Sequence, residues 1–394
     1  MAEFIANDFN QILFKRDESL LLDYLENLST KIPDQHLNNL LTQIIQNKYW
    51  NLLDWCIAHD YIKTDLFEYD EFNRSPLTLL LKPYLHNTDD LAAYLPHLEN
   101  YLSKIDDINE EIGGFNLLSF AIDFKSPIEI LRAIISAGIN MSYQTRYGET
   151  YLYKFCQQLR MPPPNAEQII QLLIDNGVDV NAGTVEKKTA LFPTIESSKT
   201  NFVKQLLENG ADVNVIDWKG LTPFILAAAH LQTRETLQLL FEYGSPDFSH
   251  LTNEKENLLN ATLRYFQGGE NSLQIIDLLI ANGADLTTTS EYYYKPKSGI
   301  DWVAEKPSEL LSFLLERNYI EVNNVDNDGN TILMKVCMYD SNHQESTAKD
   351  SYRKVKLLLK HGADPSIENR FDKKAVDYAM EDQLKTKIVE TLLA

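Results

Sequence analysis

Apolar residues in this chain recur every three or four positions, in short runs broken by polar turns. LLLDYLENL (20–28), LNNLLTQII (37–45) and LLDWCIAHDYI (52–62) have helical spacing. Past residue 70 the runs become a refrain. One phrase reads Leu-Leu, a few residues, Gly, a small or aliphatic residue, Asp. It stands as LLIDNGVDVN (172–181), LLENGADVN (206–214), LLIANGADLT (278–287) and LLKHGADPS (358–366). Weaker copies are IISAGINMS (134–142), LLFEYGSPDF (239–248) and LLERNYIEVN (314–323). The paired leucines close an amphipathic helix. Gly177, Gly210, Gly283 and Gly362 then stand where a helix C-terminus needs a left-handed residue.

A second phrase precedes each copy. It reads SPLTLLL (75–81), NLLSFAI (116–122), TYLYKFC (150–156), TALFPTI (189–195) and TPFILAA (222–228). It continues as NLLNATL (257–263), GIDWVAE (299–305), TILMKVC (331–337) and KAVDYAM (374–380). A Ser, Thr or Asn usually opens it, as an N-cap should, and Pro76 and Pro223 suit the first helical turn. Successive starts lie 32 to 43 residues apart. Two coupled phrases repeating in phase predict stacked helix-turn-helix units, each burying its neighbours' faces. Residues 71–394 then hold about nine repeats, with IVETLLA (388–394) as the second helix of a C-terminal cap. Residues 1–70 are expected to form a helical N-terminal cap with one degenerate repeat.

The paired phrases resemble the ankyrin repeat, in which TPLHxAA opens the first helix and LLxxGAD ends the second. The resemblance covers roughly residues 70–394. It implies an all-α ankyrin-repeat solenoid with a finger turn projecting ahead of each first helix. It also implies a concave face of fingers and first helices that binds protein. The histidine of TPLH is missing throughout: Thr78, Ser119, Tyr153, Phe192, Ile225, Asn260, Trp302, Met334 and Asp377 stand in its place. In the family that histidine knits neighbouring turns by hydrogen bonds, so its loss implies less regular stacking. The resemblance implies a divergent, bacterial array, and the Asn, Lys, Ile and Tyr usage suggests an AT-rich genome.

By this resemblance the finger tips fall at 72–74, 112–114, 146–148, 186–188, 217–220, 253–256, 292–297, 326–329 and 370–374. Aromatics on exposed turns have no core to fill, and Trp, Tyr and Arg dominate interface hot spots. The candidate partner-binding residues are Arg146, Tyr147, Trp218, Lys219, Tyr292, Tyr293, Tyr294, Lys295, Lys297 and Phe371. The plainer alternative is that turns favour polar residues and that some aromatics pack on the next finger. Insertions at 82–96 and 341–350, and the run Pro162-Pro163-Pro164, are expected to lengthen the links between paired helices.

Charge narrows the partner. The chain holds 36 basic and 57 acidic side chains, a net of −21. Polyphosphate and anionic membranes repel such a surface, so neither nucleic acid nor membrane is expected as partner. The acid is densest over residues 1–150, with 11 Lys and Arg against 23 Asp and Glu. That surface serves solubility or meets a basic partner.

Cys56, Cys156 and Cys337 are far apart and lack zinc spacing, as suits a reducing cytoplasm. Cys156 and Cys337 take the alanine place of the first-helix phrase, where a cysteine serves as a small buried hydrophobe. The eight histidines are scattered, and none forms an HxxxH or HExxH pair. The start of the chain lacks a secretory pattern, and no apolar run reaches membrane-span length. The expectation is therefore a non-enzymatic, cytoplasmic interaction module, monomeric when free, with no cofactor, metal or catalytic residue. An inhibitor or immunity-type protein neutralising a toxin is the first form of this reading. A secreted bacterial effector or adaptor engaging a host protein is the second. An enzyme with accessory repeats, its activity in residues 1–70, is the third.

Overall fold

The computed structural model describes residues 3–83, 85 and 87–394. Tyr84 and His86, within the 82–96 insertion, lie outside the described residues. The fold is an all-α, ankyrin-type stacking of helix pairs, relieved by one two-stranded hairpin. The chain divides into two compact units, Met1–Val185 with Thr189–Ala211, and Glu186–Lys188 with Asp212–Ala394.

The first unit opens with α1 (Ala6–Lys15), α2 (Glu18–Glu26), α3 (Asp34–Asn47) and α4 (Trp50–Ala58). Phe9, Leu21, Leu40 and Ile44 on these helices are fully buried. Four pairs follow: α5 (Leu77–Leu81) with α6 (Thr88–Leu102), α7 (Leu117–Asp123) with α8 (Ile128–Ser136), α9 (Tyr151–Cys156) with α10 (Ala166–Asp175), and α11 (Leu191–Glu196) with α12 (Thr200–Glu208).

In the second unit α13 (Pro223–Ile225) runs into a π-helical turn, Leu226–His230, and pairs with α14 (Arg234–Tyr243). α15 (Leu258–Arg264) pairs with α16 (Glu270–Ala281). The antiparallel hairpin of β1 (Thr289–Tyr292) and β2 (Lys295–Ser298) comes next. The remaining pairs are α17 (Gly299–Glu305) with α18 (Ser308–Glu316), α19 (Ile332–Met338) with α20 (Glu345–Lys360), and α21 (Ala375–Ala379) with α22 (Thr386–Leu393).

Local chemistry sets the ends of these helices. The side chains of Asn116, Thr150, Thr222, Asn257, Ser298 and Thr331 each accept the N–H three residues on. This satisfies one of the orphan donors of a helix start. At the other end Gly177, Gly210, Gly283 and Gly362 lie at φ between 85° and 106°. After each, the next residue's N–H reaches back to Leu173, Leu206, Leu279 or Leu358 at 3.0 to 3.1 Å, the Schellman closure. LLERNYIEVN has no glycine, and Asn318 takes the left-handed conformation at φ 58° instead.

Two sequence expectations shift. The phrase assigned to residue 299 starts at Ser298, which caps α17, so Asp301 and not Trp302 holds the missing histidine's place. The 82–96 and 341–350 insertions are largely absorbed as extra turns of α6 and α20.

Other side chains perform the knitting that histidine performs elsewhere. Asn260 Nδ2 donates to Ser290 Oγ at 2.9 Å and to the Thr288 and Lys297 carbonyls at 3.2 Å. Lys335 Nζ bridges Asp301 (2.6 Å) and Asp326 (2.5 Å). Lysines also cap first helices from the neighbouring repeat. Lys306 Nζ donates to the Arg264 carbonyl, Lys354 Nζ to Ala304 and Lys385 Nζ to Cys337 and Tyr339. A cation at a helix C-terminus is favoured by the exposed carbonyls and the dipole. Burial pushes the Lys306 and Lys354 ammonium groups down, with Glu305 and Asp350 respectively opposing.

Candidate functional site

One side chain organises each of five fingers. Thr145, Asp217, Thr252, Asp326 and Asn369 fold over their own turns, accepting backbone N–H groups two or four residues on. Asp217 Oδ1 takes two, from Lys219 and Leu221, both at 2.8 Å. Such Asx- and ST-type bonds fix a turn without help from the core. The residue three on is left-handed: Gly148, Gly220, Lys255, Gly329 and Asp372 have φ between 52° and 79°.

Fingers then pair with their neighbours through the backbone. In the first unit Val185 N donates to the Tyr147 carbonyl at 2.8 Å. In the second unit Trp218 N meets Glu186 O, Asn253 N meets Lys219 O, Glu291 N meets Lys255 O, and Arg370 N meets Asp328 O, at 2.9 to 3.1 Å. Close approach is why glycine is kept: a Cβ on Gly220 would lie 2.9 Å from Thr252 Cα.

These frames hold the candidate side chains outward. Tyr147 is 51% exposed, Trp218 54%, Phe371 63%, Tyr293 79% and Tyr294 96%. The Arg146 guanidinium lies 4.8 Å from the Tyr147 ring centroid, and Lys219 Nζ lies 5.7 Å from that of Trp218. Lys295 is exposed. Two candidates turn inward. Tyr292 is half-buried, edge-on to Trp302 at 4.9 Å. Lys297 pairs with Glu305 at 2.6 Å and lies 3.5 Å from the Trp302 centroid. Both brace the hairpin from below. The structure brings Trp218, Lys219, Lys295 and the hairpin tyrosines onto neighbouring fingers of the second unit. Tyr147 belongs to the first unit, and Phe371 follows the 326–329 finger.

The sequence reading missed four exposed aliphatics: Val185, Ile216, Leu251 and Val325. The last three each directly precede the side chain that folds over a finger. That position marks them only once the turn's hydrogen bonds are traced. Concave space also exists beside the fingers. In the first unit a cleft of about 430 Å³ is lined by Phe72, Ile112, Phe115, Phe120 and Phe124. In the second, one of about 420 Å³ is lined by Ile216, Ile225, Pro246, His250 and Leu258.

All three cysteines are buried and unpaired. Burial pushes each thiol up to about 12. The reactive thiolate is therefore scarce at neutral pH. A colorimetric disulfide reagent at neutral pH is expected to label none of the cysteines promptly in the folded chain and all of them in denaturant. Prompt labelling of the folded chain would contradict this burial.

The model of ankyrin repeats (3 copies) matches residues 118–217 and 159–250. An ankyrin repeat protein of Fowlpox virus (strain NVSL) is 26% identical over 118 residues, 30% of this chain and 19% of the viral protein. One of Acanthamoeba polyphaga mimivirus is 29% identical over 196 residues, 47% of this chain and 30% of its own length. The B-cell lymphoma 3 protein homolog of Mus musculus is 25% identical over 158 residues, 40% of this chain and 33% of the mouse protein. The chain thus spans between about a fifth and a third of these relatives. Among solved structures, the ankyrin repeat domain of Bcl-3 aligns with TM-score 0.48 at 19% identity, covering 62% of this chain and 98% of that one. Among the described residues no helix is long and apolar enough to cross a membrane.

Proposed function

We propose that this chain, which belongs to the ankyrin-repeat family, is a non-enzymatic module that binds a specific protein through its finger tips and the first helices behind them. The observation that carries this reading is the Tyr293-Tyr294 turn. Both residues lie at positive φ, 47° and 63°, in a two-residue hairpin turn. Asn-Gly fills such a turn without strain. A bulky residue there costs about 1–3 kcal/mol. Here two tyrosines hold the position and neither fills a core. Strain of this kind is retained where a side chain is needed in a fixed outward place. Exposed Trp218, Tyr147 and Phe371 repeat the theme on other tips.

Within this reading the chain occludes its target, as an inhibitor or immunity-type protein does. Occlusion needs only a fixed finger face and no chemistry of its own. An effector or adaptor would need a second binding surface as well. Three buried thiols outside any disulfide support a reducing, cytoplasmic location.

The test replaces Tyr293→Asn and Tyr294→Gly together, with and without Trp218→Ala. The partner is first captured by cross-linking to the wild-type chain, then titrated against each variant. Affinity is expected to fall at least about tenfold, while the melting temperature of the hairpin variant holds or rises. Unchanged affinity in the triple variant overturns the assignment of the fingers.

A further inference from the structure

We infer that four successive fingers of the second unit form a docking ridge for an acidic, extended segment of the partner protein. The inference rests on the interaction reading above and adds the partner's chemistry. Lys187, Lys219, Lys255 and Lys295 stand exposed, one to a finger. The backbone bonds from Trp218 to Glu186, Asn253 to Lys219 and Glu291 to Lys255 hold these fingers side by side. The four ammonium groups therefore recur once per repeat along one edge.

None of the four forms an ion pair among the described residues, on a chain with an excess of 21 acidic side chains. The nearby carboxylates are engaged elsewhere. Glu186 pairs with Lys188 at 3.3 Å, Glu254 with Arg264 at 3.5 Å and Glu305 with Lys297 at 2.6 Å. Of the acids on these tips, Glu291 and Asp217 have no cation partner among the described residues, and Asp217 is buried, accepting the Lys219 and Leu221 backbone N–H groups. The row stops at the next finger, where Asp326 and Asp328 are held by Lys335 and Arg370. The exposed charge without an ion-pair partner along the edge is thus mainly basic, four lysines against Glu291, on a chain of the opposite net sign.

Apolar contacts recur on the same fingers. Ile216, Trp218, Leu251 and Tyr294 are all exposed. An occupant matching both features is a polypeptide in which carboxylates alternate with apolar side chains. Each carboxylate would gain a charge-assisted hydrogen bond from a lysine. Complementary charge would also steer the encounter and make it sensitive to salt. A nucleic acid is the poorer fit, because its dense phosphates meet the net repulsion of the rest of the protein.

The full chain is titrated with a fluorescein-labelled peptide alternating Glu with Leu and Tyr. The same peptide with Gln for every Glu and single-stranded oligo(dT) are titrated in parallel. The Glu peptide is expected to bind and to weaken as salt rises, and the Gln peptide to bind at least about tenfold more weakly. Replacing Lys187, Lys219, Lys255 and Lys295 together by Gln should cost the Glu peptide at least about tenfold. Replacing the exposed helix lysines Lys356, Lys360 and Lys387 by Gln should change little. No binding of the Glu peptide, equal losses in the two variants, or tighter binding of oligo(dT) each overturns the inference. The captured partner separates the two readings. If it leaves the aromatic variants but stays on the four-lysine variant, the interaction reading stands and the acidic ridge falls.

Discussion

Gly220→Ala is expected to destabilise the second unit by about 3 kcal/mol, whereas Gly362→Ala should cost about 1 kcal/mol. Both glycines are left-handed, at φ 78° and 87°. Each alanine would therefore carry the backbone penalty of that conformation, about 1–2 kcal/mol. They differ in what the new methyl meets. At Gly362 nothing lies within 4 Å, while at Gly220 the Cβ falls 2.9 Å from Thr252 Cα and 3.0 Å from Asn253 N. Those are backbone atoms of the next finger, so no side chain can swing aside. Relief requires the Asn253 to Lys219 bond between fingers to lengthen. Urea unfolding of both variants, followed by circular dichroism, measures the difference. Equal losses would mean that finger contact contributes nothing beyond the local conformation.

Lys385→Met is expected to cost about 2–3 kcal/mol, and the exposed neighbour Lys387→Met less than about 0.5 kcal/mol. Lys385 is 1% exposed, yet its ammonium donates to the Cys337 carbonyl at 2.8 Å and the Tyr339 carbonyl at 2.6 Å, with Asp382 at 3.6 Å. Methionine fills most of the same space but donates nothing. Two carbonyls at the end of α19 and one carboxylate would lose their shared cation. Hydrogen exchange should therefore quicken at α19 and α22 first. Equal stability of the two methionine variants would show that the buried ammonium is only tolerated. The same logic extends to Lys354, whose ammonium reaches the Ala304 carbonyl.

The candidate site was legible in part. Tyr147, Trp218, Tyr293, Tyr294, Lys295 and Phe371 stood out because each falls on a turn whose register the two phrases set. Lys297 and Tyr292 share that turn but face Trp302, a contact made across the hairpin. Ile216, Leu251 and Val325 were invisible for the opposite reason. Nothing in composition separates them from the buried arm residues Val180, Val213 and Leu286. Only the alternation of the arm, seen once its backbone is traced, turns one set outward and the other inward.

The sequence by itself determined the repeat, its caps and its turns, because these rest on interactions a few residues apart. A helical stripe, a side chain accepting an N–H three residues on and a left-handed glycine are all written within one repeat. The tertiary structure alone decided how repeats are joined. Asn260 reaches residues 28 to 37 positions away, and Lys385 reaches carbonyls 46 and 48 positions away. Such pairings depend on how one repeat lands on the next. The missing histidine therefore pointed to looser stacking, whereas packing had supplied other donors.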